Sequence, residues 1–302
     1  MKEYFIKNDQ NINLNVIEPV YNNKDNYLAI AIHIHGISSS FQKFIKYPEL
    51  LDSVHKKNNY LTKIRIKSYF LEFHGHGKSE GLRCLINDFD DLLEDLDCIV
   101  NHVREKHSNQ KLKFILIAES MGGAVAIKYN IKNPDIFDGN ILLAPMCGIH
   151  DSLKPGFVKT QFLMSMSYLF PDAQWIDTAS DIPFKSNLLP IYEKIHAEDK
   201  YYYKENYRLA TARECLYTSD WLWYNSYLFN KPFLLIHGLD DTVTVPEKSI
   251  DFYRNASTDE NKKNIVLIEK VGHGLLAKRN ENDRSPEIIM DHIINWINKI
   301  IF

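Results

Sequence analysis

A chain of 302 residues is longer than one ordinary domain but suits a single α/β domain carrying an insertion. With 45% hydrophobic and 25% charged residues it can bury a sizeable core, which excludes a disordered or fibrous protein. Its 36 basic and 39 acidic side chains give a formal charge of -3, so no polycation is present for a nucleic acid to recruit.

The opening residues, MKEYFIKNDQNINLNVIEP, hold no apolar stretch long enough for a signal peptide, and no later segment approaches the ~20 residues that cross a bilayer. The expectation is a cytoplasmic protein. EYFIK and NINLNVIE read as an antiparallel edge hairpin. Next come YLAIAIHIHG from 27 to 36 and IKSYFLEFHGHG from Ile66, apolar runs that end in glycine turns and read as buried parallel strands. Between Asp88 and His107, Phe89, Leu92, Leu93, Leu96, Ile99, Val100 and Val103 recur on one helical face. That segment starts acidic and ends basic, which suits the helix dipole.

The strand within KLKFILIAESMGG, 111 to 123, leads into Ala118-Glu119-Ser120-Met121-Gly122-Gly123 and then the helical AVAIKYNIK. A nucleophile elbow needs this strand, turn and helix, because small neighbours let the helix pack close while the serine is held in a strained turn. GNILLAP, 139 to 145, is a further strand. From about 148 to 230 no strand-turn-helix unit appears, only helical patterns dense in aromatics, and this stretch reads as a helical cap inserted into a core of 1–147 and 231–302. KPFLLIHG, 231 to 238, and NIVLIEKVGHG, 264 to 274, resume the strands; a helix begins near Pro246 and PEIIMDHIINWINKIIF closes the chain. Such alternation predicts an α/β fold, a mostly parallel sheet with helices on both faces.

A serine hydroxyl is a weak nucleophile until a base takes its proton, so Ser120 requires a histidine and an acid later in the chain. His273, in Val271-Gly272-His273-Gly274, sits just beyond a strand where glycines permit a tight loop. Leu239-Asp240-Asp241 supplies two adjacent carboxylates that cannot both reach one imidazole. Asp241 is the stronger candidate by its distance from the H-G that ends the preceding strand, with Asp240 then a turn residue. Oxyanion donors should be the backbone N–H groups of Met121 and of Ile37, after His35-Gly36. No cofactor is required.

Two pairs, His33-Ile34-His35 and His74-Gly75-His76, have the spacing of metal ligands but lack a nearby carboxylate and third histidine, so a structural role is favoured and no metal is expected. Cys84, Cys98, Cys147 and Cys215 form no C-x-x-C pair and suggest neither zinc nor disulfides.

Taken together these motifs resemble the monoacylglycerol lipase and lysophospholipase family of α/β-hydrolases along nearly the whole chain. His35-Gly36-Ile37 is similar to the family's oxyanion loop, Phe73 to Gly81 to its G-H-G-x-S-x-G segment, and Arg208 to Glu214 to a cap segment. Ser120, Asp241 and His273 fall on its triad. Two positions depart: Ala118 replaces a glycine and Glu72 an aspartate. The resemblance implies hydrolysis of acyl esters of glycerol or glycerophospho groups through an acyl-enzyme, with the cap forming an acyl-chain tunnel.

The apolar stretch 161–170 corresponds to the family's lid helix and suits peripheral contact with a membrane; the competing reading is that it packs on the core. Phe162, Met166 and Trp221 are the candidate substrate contacts. A peptidase or amidase on the same triad, and a ligand sensor that retains it, remain as alternatives.

Overall fold

The computed structural model describes residues 1–20, 26–42, 45, 47–176 and 190–302. Its strands are β1 (Lys2–Lys7), β2 (Asn13–Glu18), β3 (Ala29–Ile34), β4 (Ile66–Leu71), β5 (Lys113–Glu119), β6 (Gly139–Leu143), β7 (Phe233–Gly238) and β8 (Lys263–Ile268). They form one sheet in the order β1-β2-β4-β3-β5-β6-β7-β8. β1 and β2 pair antiparallel at the edge, β2 is antiparallel to β4, and every other pair is parallel. The edge hairpin and parallel core expected from the sequence are both present.

Strand side chains alternate between two faces, and each face finds its own helices. Ile30, Ile32 and Ile34 of β3 join Leu92, Leu96 and Val100 of α2 (Asp90–Lys106) and Val125 of α3 (Met121–Lys132). Ala29 and Ala31 point the other way, to the core that holds Leu61 of α1 (Val54–Lys63) and Ile293 and Ile297 of α8 (Ser285–Ile300). Phe252 of α7 (Pro246–Asn255) belongs to the first core. A sheet covered on both sides needs apolar residues at every position, which is why the parallel strands read as continuous runs.

Between β6 and β7 lie α4 (Phe157–Met166), α5 (Pro190–Glu198) and α6 (Leu209–Asn225), and among the described residues this stretch adds no strand to the sheet. Of the expected cap at 148–230, residues 177–189 lie outside the described residues. Residues at the start of α6 clamp the insertion onto the core loop at 83–89. Thr211 Oγ1 donates to Cys84 O (2.7 Å) and accepts from Ile86 N (2.9 Å), Arg208 Nε donates to Arg83 O (2.8 Å), and Glu214 Oε2 accepts from Phe89 N (3.1 Å). The Arg208–Glu214 segment is therefore a polar clasp.

Candidate active site

Ser120 lies between the end of β5 and the first residue of α3 with φ 55° and ψ -117°. Such a backbone is uncommon for a residue with a side chain, and it persists only where the surroundings hold it. Here Ser120 N donates to Leu143 O (2.9 Å), while Ser120 O accepts from Gly123 N (2.9 Å) and Met146 N (2.9 Å). The glycines that follow let α3 approach. A Cβ on Gly122 would lie 2.8 Å from His35 O, and one on Gly123 would lie 2.6 Å from Pro145 Cβ. Ala118, in place of the smaller glycine, is fully buried within the first core.

His273 sits on the loop after β8, and its Nδ1 is 2.7 Å from Asp241 Oδ2. Asp241 is buried, 4% exposed, and Asp240 is exposed, so the two adjacent carboxylates have different surroundings. Asp241 Oδ1 accepts from Val243 N (2.7 Å) and Thr244 N (3.1 Å), and Oδ2 from Thr244 Oγ1 (2.8 Å). His237 Nε2, 3.0 Å from Oδ2, completes the set and is itself fixed by Ser249 Oγ at Nδ1 (2.8 Å). Burial alone would raise the Asp241 pKa, but the charge of His273 and the hydrogen bonds with His237 and His273 outweigh it and hold the carboxyl well below its usual range. Sequence reasoning missed His237 and Thr244; the only signal for His237 is its place in the H-G that ends β7.

With Nδ1 engaged by Asp241, Nε2 is the ring nitrogen left for Ser120, and both residues line one cavity. Among the described residues no hydrogen bond joins Ser120 Oγ to the ring, a contact that commonly tightens only with substrate in place. The expected oxyanion donors flank Ser120. Met121 N opens α3, and Ile37 follows Gly36, where a Cβ would come within 2.9 Å of Ser120 Cβ and 3.3 Å of its Oγ. Only glycine lets that loop pass so near. Among the described residues neither N–H donates to a backbone acceptor.

Glu72 supports this loop from beneath. Its buried carboxyl accepts from Phe41 N (2.9 Å), Lys78 N (2.8 Å) and Asn15 Nδ2 (2.9 Å), joining the loop after β3, the 73–81 segment and β2. Burial raises its pKa against the pull of those donors. Gly77, at φ 52°, has no room for a Cβ, which would land 2.0 Å from Glu72 Cδ.

The histidine pairs have other partners. His33 Nε2 is 3.3 Å from Ser68 Oγ and its ring stacks on Phe70; His35 Nδ1 donates to Gly36 O (2.7 Å) and Nε2 accepts from Phe73 N (3.2 Å). His74 Nδ1 is 2.7 Å from Asp95 Oδ2, and His76 Nδ1 donates to His74 O (2.9 Å). Among the described residues no three metal-ligating side chains cluster.

Two cavities meet at Ser120. One, of about 120 Å³, is lined mainly by apolar side chains including Ile149, Leu153, Leu163, Met164, Leu216 and Val243. The other, of about 190 Å³, is more polar and includes Ser40, Lys57, Glu119, Tyr192, His196 and His273. Ile37 and Tyr207 border both. The three expected substrate contacts do not line either cavity: Phe162 is 59% exposed on α4, Met166 is also turned aside, and Trp221 packs on the core beneath Lys128 Nζ at 5.4 Å. One helical residue is a rotation of about 100°, and Leu163 and Met164, not Phe162, face inward.

Residues 49–282 match the Hydrolase_4 family, described as serine aminopeptidase, S33. The chain belongs to that family. This family member is a serine hydrolase of the α/β-hydrolase fold. It is 28% identical over 235 residues to caffeoylshikimate esterase of Arabidopsis thaliana, covering 74% of this chain and 67% of that protein. It is 25% identical over 287 residues to a putative monoglyceride lipase of Schizosaccharomyces pombe, covering 91% and 68% respectively. In fold it is similar to a soluble variant of monoglyceride lipase from Saccharomyces cerevisiae, with a TM-score of 0.79 at 15% identity over 98% of this chain and 94% of that one.

Proposed function

We propose that this serine hydrolase cleaves carboxylic esters with an apolar acyl chain, of the monoacylglycerol or lysophospholipid type. In this reading His273 takes the Ser120 proton as Oγ attacks the ester carbonyl, and the Ile37 and Met121 N–H groups receive the oxyanion. The alcohol departs with the proton from His273, leaving an acyl-Ser120 ester. Water, deprotonated by the same histidine, releases the acid. Asp241 stays ionised throughout, fixing the Nδ1–H tautomer and stabilising the imidazolium.

The observation that carries the proposal is the largely apolar cavity opening on Ser120, bordered by side chains such as Leu153, Leu163 and Leu216 that suit an alkyl chain, with Lys154 and Arg213 as its cationic lining. The family description also suggests an aminopeptidase, which needs a carboxylate to hold a free amine. Of Asp52 and Glu119, the two carboxylates that line the polar cavity, Glu119 beside Ser120 is already paired with Lys57, and that favours the ester reading.

The test is a hydrolysis panel of monoacylglycerols, lysophospholipids, short esters and aminoacyl amides, with fluorophosphonate labelling read by mass spectrometry. Long-chain acyl esters should be turned over best, with the adduct on Ser120 and none in Ser120→Ala. Preferential cleavage of aminoacyl amides, or an adduct on another serine, would overturn the proposal.

A further inference from the structure

Ile37 is followed at once by Ser38, whose φ of 60° is again unusual for a residue with a side chain. On the core side the loop is tied by Glu72 at Phe41 N and by the close approach of Gly36 to Ser120. Ser38 Oγ also lies 3.8 Å from Cys84 Sγ of the 83–89 loop, and the remaining contacts of Ser38 and Ser40 come from the insertion. Tyr203 N donates to Ser38 O (3.2 Å), Ser38 Oγ donates to the Tyr207 hydroxyl (3.1 Å), and Ser40 Oγ donates to Asp199 Oδ2 (3.4 Å). Residues 199–207, within the connection from α5 to α6, thus run along the loop that carries the expected oxyanion donor Ile37.

Tyr207 stands where the two cavities meet, so its ring borders the space beside Ser120 while its hydroxyl reaches the loop. The connection also continues from α5, where the Tyr192 hydroxyl accepts from Lys278 N (3.2 Å) on the segment just past His273. One stretch of the insertion therefore touches both the oxyanion loop and the histidine loop.

We propose that Ser38 and Tyr207 are positioning residues, and that their hydrogen bond makes the Ile37 donor depend on the seating of the cap. The inference rests on the assignment of Ile37 to the oxyanion hole. Physically, the Ile37 N–H belongs to a short loop segment between Gly36 and Ser38, and loss of the grip on Ser38 lets that peptide turn away from the charge that develops on the substrate. Removing an oxyanion donor outright costs about a hundredfold to a thousandfold in turnover, and a misdirected one costs less.

The experiment compares Ser38→Ala, Tyr207→Phe and the double variant with the parent. Steady-state hydrolysis of dissolved p-nitrophenyl butyrate is read alongside inhibition by butylboronic acid, whose tetrahedral adduct on Ser120 places an oxygen among the oxyanion donors. Each single variant should lose about tenfold in kcat with KM and Tm near the parent's, and the double should lose no more than either, because the Ser38–Tyr207 bond is the one contact that both substitutions break. The boronate Ki should rise in step. Multiplicative losses, an effect confined to KM, or a lowered Tm with kcat intact would overturn the inference and leave the bond as a fastening of the cap. A parent protein that spares the ester overturns the ester proposal instead, and the boronate Ki and fluorophosphonate labelling rate then still decide whether the variants differ.

Discussion

Asp241 receives more hydrogen bonds than orienting one imidazole requires, and that surplus separates it from its neighbour. Two backbone N–H groups, the Thr244 hydroxyl and His237 fix the carboxylate before His273 engages it, whereas Asp240 faces solvent. Asp241→Asn is expected to lower kcat by on the order of a thousandfold or more, with Asp240→Asn within a few-fold of the parent, as measured on a soluble ester. A greater loss from Asp240→Asn would move the acid by one residue. The candidate triad is legible in the sequence because each member lies at a strand end, where type and spacing are distinctive. The brace around Asp241 is not, because His237 reads as strand and Thr244 as an ordinary loop residue. Only folding brings β7, its loop and α7 together.

At the scale of elements, α4 shows where sequence pattern runs out. Its residues are apolar nearly all round, so no periodicity says which side faces inward. In the fold Leu163 is buried and lines the apolar cavity with Met164, while Phe157, Val158 and Phe162 are exposed, and Tyr168, Leu169 and Phe170 extend the apolar surface beyond the helix. If that face meets lipid, each apolar side chain gains roughly 25 cal/mol for every Å² it buries there. Replacing Phe157, Val158 and Phe162 with Ser should therefore reduce hydrolysis of a long-chain monoacylglycerol in vesicles by about tenfold or more, while a dissolved butyrate ester is cleaved at the parent rate. Equal losses on both substrates with a lowered Tm would identify the face as structural. Leu163→Ser is expected to behave differently, impairing long acyl chains in either setting.

Across the whole molecule, the buried histidines set how the fold answers to acid. Burial, aided by the charge of His35, pushes His76 down to about 3, and burial with the charge of Lys57 pushes His33 well below its ordinary value. Below pH 6.5 the unfolded chain binds protons that these native rings refuse, so stability falls as pH falls. His74 acts in the opposite sense: burial opposes its charge, but Asp95 prevails and raises the pKa, so its contribution is present in acid and lost as pH rises through the native value. Urea unfolding at pH 7 and pH 5 should show a smaller drop for His76→Gln than for the parent, by about 2 kcal/mol. Equal drops would mean that His76 titrates normally in the fold. The meeting of an apolar and a polar cavity at Ser120 has a kinetic corollary under the proposed chemistry. The acyl half stays lodged in the apolar cavity as the covalent intermediate, while the alcohol half leaves through the polar one and vacates the space that the second nucleophile must enter. Product release is then ordered, alcohol before acid, and any alcohol that fits the polar cavity competes with water for the acyl group, so that acyl transfer between alcohols is built into the same architecture as hydrolysis.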